Sequence, residues 1–100
     1  MKHGVLVKIT TYIYDGTTDE VGSLSILMYT NKKQAYIVRT IKNMILDFKN
    51  VDWNIAALEG EHNNLREWQD EHFVFFKSLD KDFNEKTKVV VELFEVVKKY

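Results

Sequence analysis

The chain contains no cysteine and no proline, and only two of its 14 basic residues are arginine. The first absence removes disulfides, thiolate nucleophiles and sulfur-ligated zinc or iron in one step. The shortage of arginine leaves Arg39 and Arg66 as the only side chains that grip phosphate or a base edge bidentately. Four glycines, at positions 4, 16, 22 and 60, are too scattered to form a phosphate-cradling loop. Charge of one sign is also missing: 14 basic against 15 acidic residues leave a formal net charge of -1. That balance gives no global pull toward nucleic acid or an anionic membrane, and it counts against an acidic mimic of DNA. Apolar runs last only a few residues, so no segment reads as a bilayer span. The opening Met1-Lys2-His3-Gly4 and the strand after it, broken by Lys8, are too polar for a signal peptide, and a cytoplasmic protein with no membrane association is expected.

What is present argues for one folded domain over residues 1–100. A hydrophobic fraction of 45% and an aromatic fraction of 13% are those of a chain that buries a core rather than of a disordered one. Apolar residues alternate up to Asn31 and recur at helical spacing after it. Val5, Val7, Ile9 and Ile13 make one face of a strand ending at Tyr14, and Leu24, Ile26 and Met28 one face of a second strand. Asp15-Gly16 opens the polar turn between them, and the two strands are expected to pair as an antiparallel hairpin. Asn31-Lys32-Lys33-Gln34 has the form of a capping box, and Ile37, Val38, Ile41, Met44, Ile45 and Phe48 then fall on one helical arc. On this reading Ile41→Asp drives a charge into the helix–sheet core and unfolds the domain.

Beyond residue 50 the patterns are less exclusive. Asp52 suits the cap of a short helix carrying Ile55 and Leu58, weakened by Gly60, although a short strand also fits. From Asn63 onward two readings compete: a helix from Leu65 to Phe83 gathers Leu65, Trp68, His72, Phe75, Phe76, Leu79 and Phe83 on one side. Alternatively it stops near Asp70 and a strand begins at His72. Five valines between Val89 and Val97 favour a final strand over a helix. The expected fold class is therefore α+β: a small single domain in which a hairpin leads into an amphipathic helix packed on a mostly antiparallel sheet, with a second helix and a C-terminal strand.

No set of residues with catalytic spacing stands out. Ser23, Ser25 and Ser78 lie in no nucleophile elbow, and Asp19/Glu20 and Asp80/Asp82 belong to turn-rich segments. The order Glu59-Gly60-Glu61-His62 contains one Glu-x-x-His, but His62 and His72 are ten residues apart where helical zinc motifs place them four apart. An enzyme, a cofactor or a metal is accordingly not expected. Two binding surfaces are. Tyr12, Tyr14, Tyr29, Tyr36 and Phe73 fall off the assigned apolar faces, and such aromatics anchor protein interfaces at little entropic cost, whether the partner is another protein or a second copy. Lys32, Lys33, Arg39, Lys42 and Lys49 would form the basic outer face of the helix at 32–49 and contact phosphates, a nucleic-acid-binding alternative. The hairpin, polar tip and helix of the first half resemble small proteins of phages and mobile elements. That resemblance implies a binding module acting as an inhibitor or adaptor on a host protein.

Overall fold

The computed structural model describes residues 7–29 and 34–99, and the side chains of Tyr29 and Gln34 are not among those described. Four strands, β1 (Val7–Ile13), β2 (Leu24–Tyr29), β3 (Gln34–Asp47) and β4 (Lys88–Lys99), form one curled antiparallel sheet in the order β1-β4-β3-β2. Between β3 and β4 the chain makes a 3-10 turn (Phe48–Asn50), a short helix α1 (Trp53–Ala56), a second 3-10 turn (Ala57–Glu59) and the long helix α2 (Leu65–Leu79). The α+β class is as the sequence indicates.

The segment after Asn31 is a correction. Residues 34–47 form the longest strand of the sheet, not a helix. Tyr36, Val38 and Thr40 are buried on one face, as a strand of period two requires. Two bulges then break the alternation: β4 carries an extra residue opposite Ile37/Val38, and β3 carries Ile41 as an extra residue between Thr40 and Lys42. A period of two with one inserted residue produces spacings of three and four, which is how a strand came to imitate a helical arc. Of the capping box only Gln34 lies among the described residues, as the first residue of β3.

The expected hairpin of the first two strands is corrected too. β1 pairs with β4, Ile9 opposite Leu93 and Ile13 opposite Val89, while β2 pairs with β3 at the other edge. The ten-residue connection from Tyr14 to Ser23 is too long for a tight hairpin turn and crosses the sheet instead. It is tied down by Gly22 N–H to the Thr40 carbonyl at 2.7 Å and Asn43 Nδ2 to the Asp19 carbonyl at 2.7 Å. Gly22 takes φ 95°, a conformation that glycine adopts without steric cost.

Of the two readings beyond residue 63, the helix holds and stops at Leu79. Asn64 caps it by accepting from the Glu67 amide at 2.9 Å, and the Glu67 carboxylate returns to the Asn63 amide at 3.0 Å. Phe83 still enters the core, from the loop after the helix. The inward face differs in detail. Trp68 and Phe76 are buried and Phe73 packs against the core, whereas Phe75 and Leu79 are exposed. Asp52 caps α1 as expected, accepting from the Ile55 amide at 3.1 Å, and β4 is the C-terminal strand.

Two cores result. Helix α2 and the turns before it cover one face of the sheet, enclosing Ile9, Val89, Val91, Phe48, Val51, Ala56, Trp68, Phe76 and Phe83. The opposite, helix-free face carries a smaller cluster of Tyr36, Val38 and Phe94, with Leu27 and Val96 beside it. β4 lies centrally and is buried on both sides, which accounts for its run of valines.

Candidate functional site

The helix-free face holds the feature that the physics of folding accounts for least: a buried carboxylate. Glu92 is 1% exposed in the middle of β4. By register Thr10, Glu92 and Asn43 lie abreast, and the curl of the sheet brings the neighbouring Tyr12 and Thr40 inward. Tyr12 donates its hydroxyl to Glu92 Oε1 at 3.3 Å, and Thr40 Oγ1 donates to Oε2 at 2.6 Å. Burial raises the Glu92 carboxyl above its ordinary value; the Thr40 and Tyr12 hydroxyls oppose that shift, and Asp19, from the crossing loop, adds to it. Burial, then the negative charges of Glu92 and Asp19, push the Tyr12 phenol up to about 12, so Tyr12 stays a donor at any physiological pH. Asn43 fixes the loop through its Nδ2, while its Oδ1 is buried with no hydrogen-bond partner. At the β1 end of the same face, Lys8 Nζ lies 5.2 Å from the centre of the Tyr36 ring.

The arrangement gathers a buried carboxylate, a buried amide oxygen, two hydroxyls and a cation beside an aromatic ring on one sheet face.

Of the five aromatic candidates, only Tyr12 belongs to this site, as a ligand of Glu92 rather than as an exposed anchor. Tyr36 is 3% exposed and forms the small core. Tyr14 is half-buried at the end of β1. Phe73 packs edge-on against Phe48 and Phe83 at ring separations of 6.0 Å and 5.2 Å on the other side of the sheet. The side chain of Tyr29 lies outside the described residues. These residues do not make one surface. Nor do the basic candidates form a helix face. Lys32 and Lys33 lie outside the described residues, Arg39 pairs with Glu95 at 2.7 Å, Lys42 is exposed on β3, and Lys49 sits in the turn after it. Sequence reasoning missed Glu92 and Thr40. A signal existed, since a lone carboxylate inside Val89-Val90-Val91-Glu92-Leu93-Phe94 is a charge in a strand buried on both faces.

Comparison with known proteins gives this geometry its context. Residues 5–98 match the family model of the ASCH domain. The chain belongs to the ASCH domain family. Among solved structures, the ASCH domain of Lactobacillus crispatus JV V101 superposes with a TM-score of 0.78 at 24% identity, covering 91% of this chain and 64% of that one. A protein from Enterococcus faecalis V583 superposes with a TM-score of 0.75 at 27% identity, covering 93% of this chain and 62% of that one. This ASCH domain therefore spans less than two thirds of the length of either. No curated protein matches it. Among the described residues no helix is long and apolar enough to cross a membrane.

The raised Glu92 carboxyl has a consequence for this ASCH domain that can be measured. The folded state keeps its proton above the ordinary value of 4.5, where the unfolded chain has lost it, so stability falls as pH rises through that window. Glu92→Gln removes the titration. Its melting temperature should gain on the parent's as pH rises above about 4.5. A constant difference across that range would show that Glu92 is not held protonated by its surroundings.

Proposed function

We propose that this ASCH domain binds nucleic acid, with an unpaired base lying against the helix-free face of the sheet. The observation that carries the reading is Glu92, a buried carboxylate held by two hydroxyls on the sheet face that α2 does not cover and that the loop after β1 crosses. Lys8 supplies a phosphate contact on this face, and the network around Glu92 sets the polarity of the floor against which a base lies. The association of ASCH domains with nucleic acid agrees with this reading. With a net charge of -1 the chain has no general affinity for a polyanion, so binding rests on the local face and on single strands whose bases are accessible. We read the domain as a cytoplasmic binding module, not an enzyme; chemical change of a bound oligonucleotide would overturn that part. The test is fluorescence anisotropy with labelled single-stranded RNA and DNA across a salt series. Lys8→Ala should weaken binding severalfold and lower the salt slope by about one, while Glu92→Gln should alter base preference. Failure of every single-stranded pool to bind would refute the reading.

A second reading, a protein-binding inhibitor or adaptor, is favoured by a different observation. Leu24, Ile26 and Met28 stand exposed in a row on β2, which is an edge strand. Such a row is a template for strand addition by another chain. A pull-down divided into nuclease-treated and untreated halves separates the two readings. A single protein retained in both halves, and lost with Ile26→Lys, would favour the second.

A further inference from the structure

On the opposite side of the sheet from Glu92, the fold brings the isolated Glu-x-x-His of the sequence to a second histidine. Glu59 closes the 3-10 turn, His62 lies two residues before Asn64, the N-cap of α2, and His72 lies in the middle of that helix. One ligand atom from each falls within 4.8 Å of the other two. His62 Nδ1 is 3.5 Å from Glu59 Oε1, and His72 Nε2 is 3.6 Å from Glu59 Oε2.

The protons on the two rings are fixed by their outer partners. His72 Nδ1 lies 2.9 Å from the Trp68 carbonyl, which only accepts, so Nδ1 carries a hydrogen and Nε2 is the ring nitrogen turned to Glu59. His62 Nε2 lies 2.6 Å from Glu71 Oε2, so Nε2 donates and Nδ1 is the ring nitrogen turned inward. His62 Nδ1 is buried with no hydrogen-bond partner, in a side chain only 8% exposed. Two ring nitrogens and a carboxylate thus face one another across a gap. Separations of 3.5 and 3.6 Å are too long for a charge-assisted hydrogen bond. Each is near the edge of a zinc tetrahedron, about 3.3 Å for metal–ligand bonds of about 2.0–2.1 Å, but they run to different Glu59 oxygens, so the carboxylate turns to set one oxygen between the two nitrogens when an ion binds.

We propose that Glu59, His62 and His72 bind a divalent transition-metal ion of the zinc class, His62 through Nδ1 and His72 through Nε2. Two imidazoles and a carboxylate are a borderline donor set that suits zinc rather than magnesium or calcium. The outer contacts have the form usual for metal-bound histidines, a ring N–H given to a carbonyl or carboxylate. Three protein ligands leave one position of a tetrahedral ion for water. The ion ties the turn at residues 57–62 to helix α2, and it is independent of the nucleic-acid reading because no residue is shared with that face.

The test uses untagged full chain, stripped with chelator and titrated with zinc, with cobalt(II) as a spectroscopic probe. One zinc per chain is expected, with a melting temperature that rises on zinc addition and visible absorption typical of tetrahedral cobalt. Glu59→Gln and His62→Ala should each lose that absorption and bind zinc at least tenfold more weakly, while their circular dichroism shows them folded. Glu71→Gln leaves all three ligands in place and should weaken zinc about tenfold by freeing the His62 ring. Absence of zinc uptake by the folded parent, or uptake unchanged in both Glu59→Gln and His62→Ala, would overturn the proposal.

Discussion

Trp68→Ala is expected to cost about 3–5 kcal/mol, the range for truncating a fully buried large aromatic. Trp68 is 0% exposed and stands between two rings: Phe48 stacks on it at 5.6 Å and His72 at 4.1 Å. Phe48 also meets Phe76 and Phe83 edge-on, at 6.1 Å and 5.2 Å, so one indole supports the contact between α2 and the turn that leaves β3. The hole it leaves cannot be filled by collapse, because its neighbours are fixed on a helix and on a sheet. A domain of this size has only about 5–15 kcal/mol in total, and the variant will be partly unfolded at its lower end. Trp68→Phe should be much milder. It keeps a stacked ring and deletes Nε1, which is buried without a hydrogen-bond partner. Urea denaturation followed by circular dichroism measures both. A midpoint for Trp68→Ala close to that of the parent would show that the stack carries little of the stability.

Where the sequence could be read and where it could not divides along one physical line. The strands at 7–13, 24–29 and 88–99, the Asp52 cap and a helix starting near Leu65 were legible because each rests on local chemistry: alternation, a capping side chain, a run of valines. The pairing of β1 with β4 was not. Nothing near Val7 records that its partner is Glu95, and a polar turn between adjacent strands invites the nearer pairing. The two sites fall on the far side of that line. Glu92 becomes a site only when Tyr12 and Thr40 arrive from other strands, and Glu59, His62 and His72 only when the turn folds back on α2. Motif spacing reports ligands on one element, whereas these are assembled by tertiary structure.

The exchange of helix for strand at residues 34–47 reverses an expectation about a single residue, and the reversal is a sharp test. If these residues were a helix, Ile41 would point into the core; as the extra residue of a bulge it is 39% exposed. Ile41→Asp should therefore fold cooperatively and cost less than about 1 kcal/mol, as exposed substitutions do. Val38→Asp is the counterpart. Val38 is 0% exposed in the small core with Tyr36 and Phe94, on a strand with neighbours at both edges, so a carboxylate there has neither water nor a designed partner. Its expected cost exceeds about 4 kcal/mol, enough to leave little folded protein. A bulge also puts an odd step into the face alternation, so residues on either side of Ile41 exchange roles: Thr40 faces Glu92, and three positions later Asn43 lies on that face again. Thermal melts of Ile41→Asp and Val38→Asp decide the matter. Equal destabilisation of the two would return residues 34–47 to the helical reading, and a large gap in the stated direction would fix both the strand and its bulge.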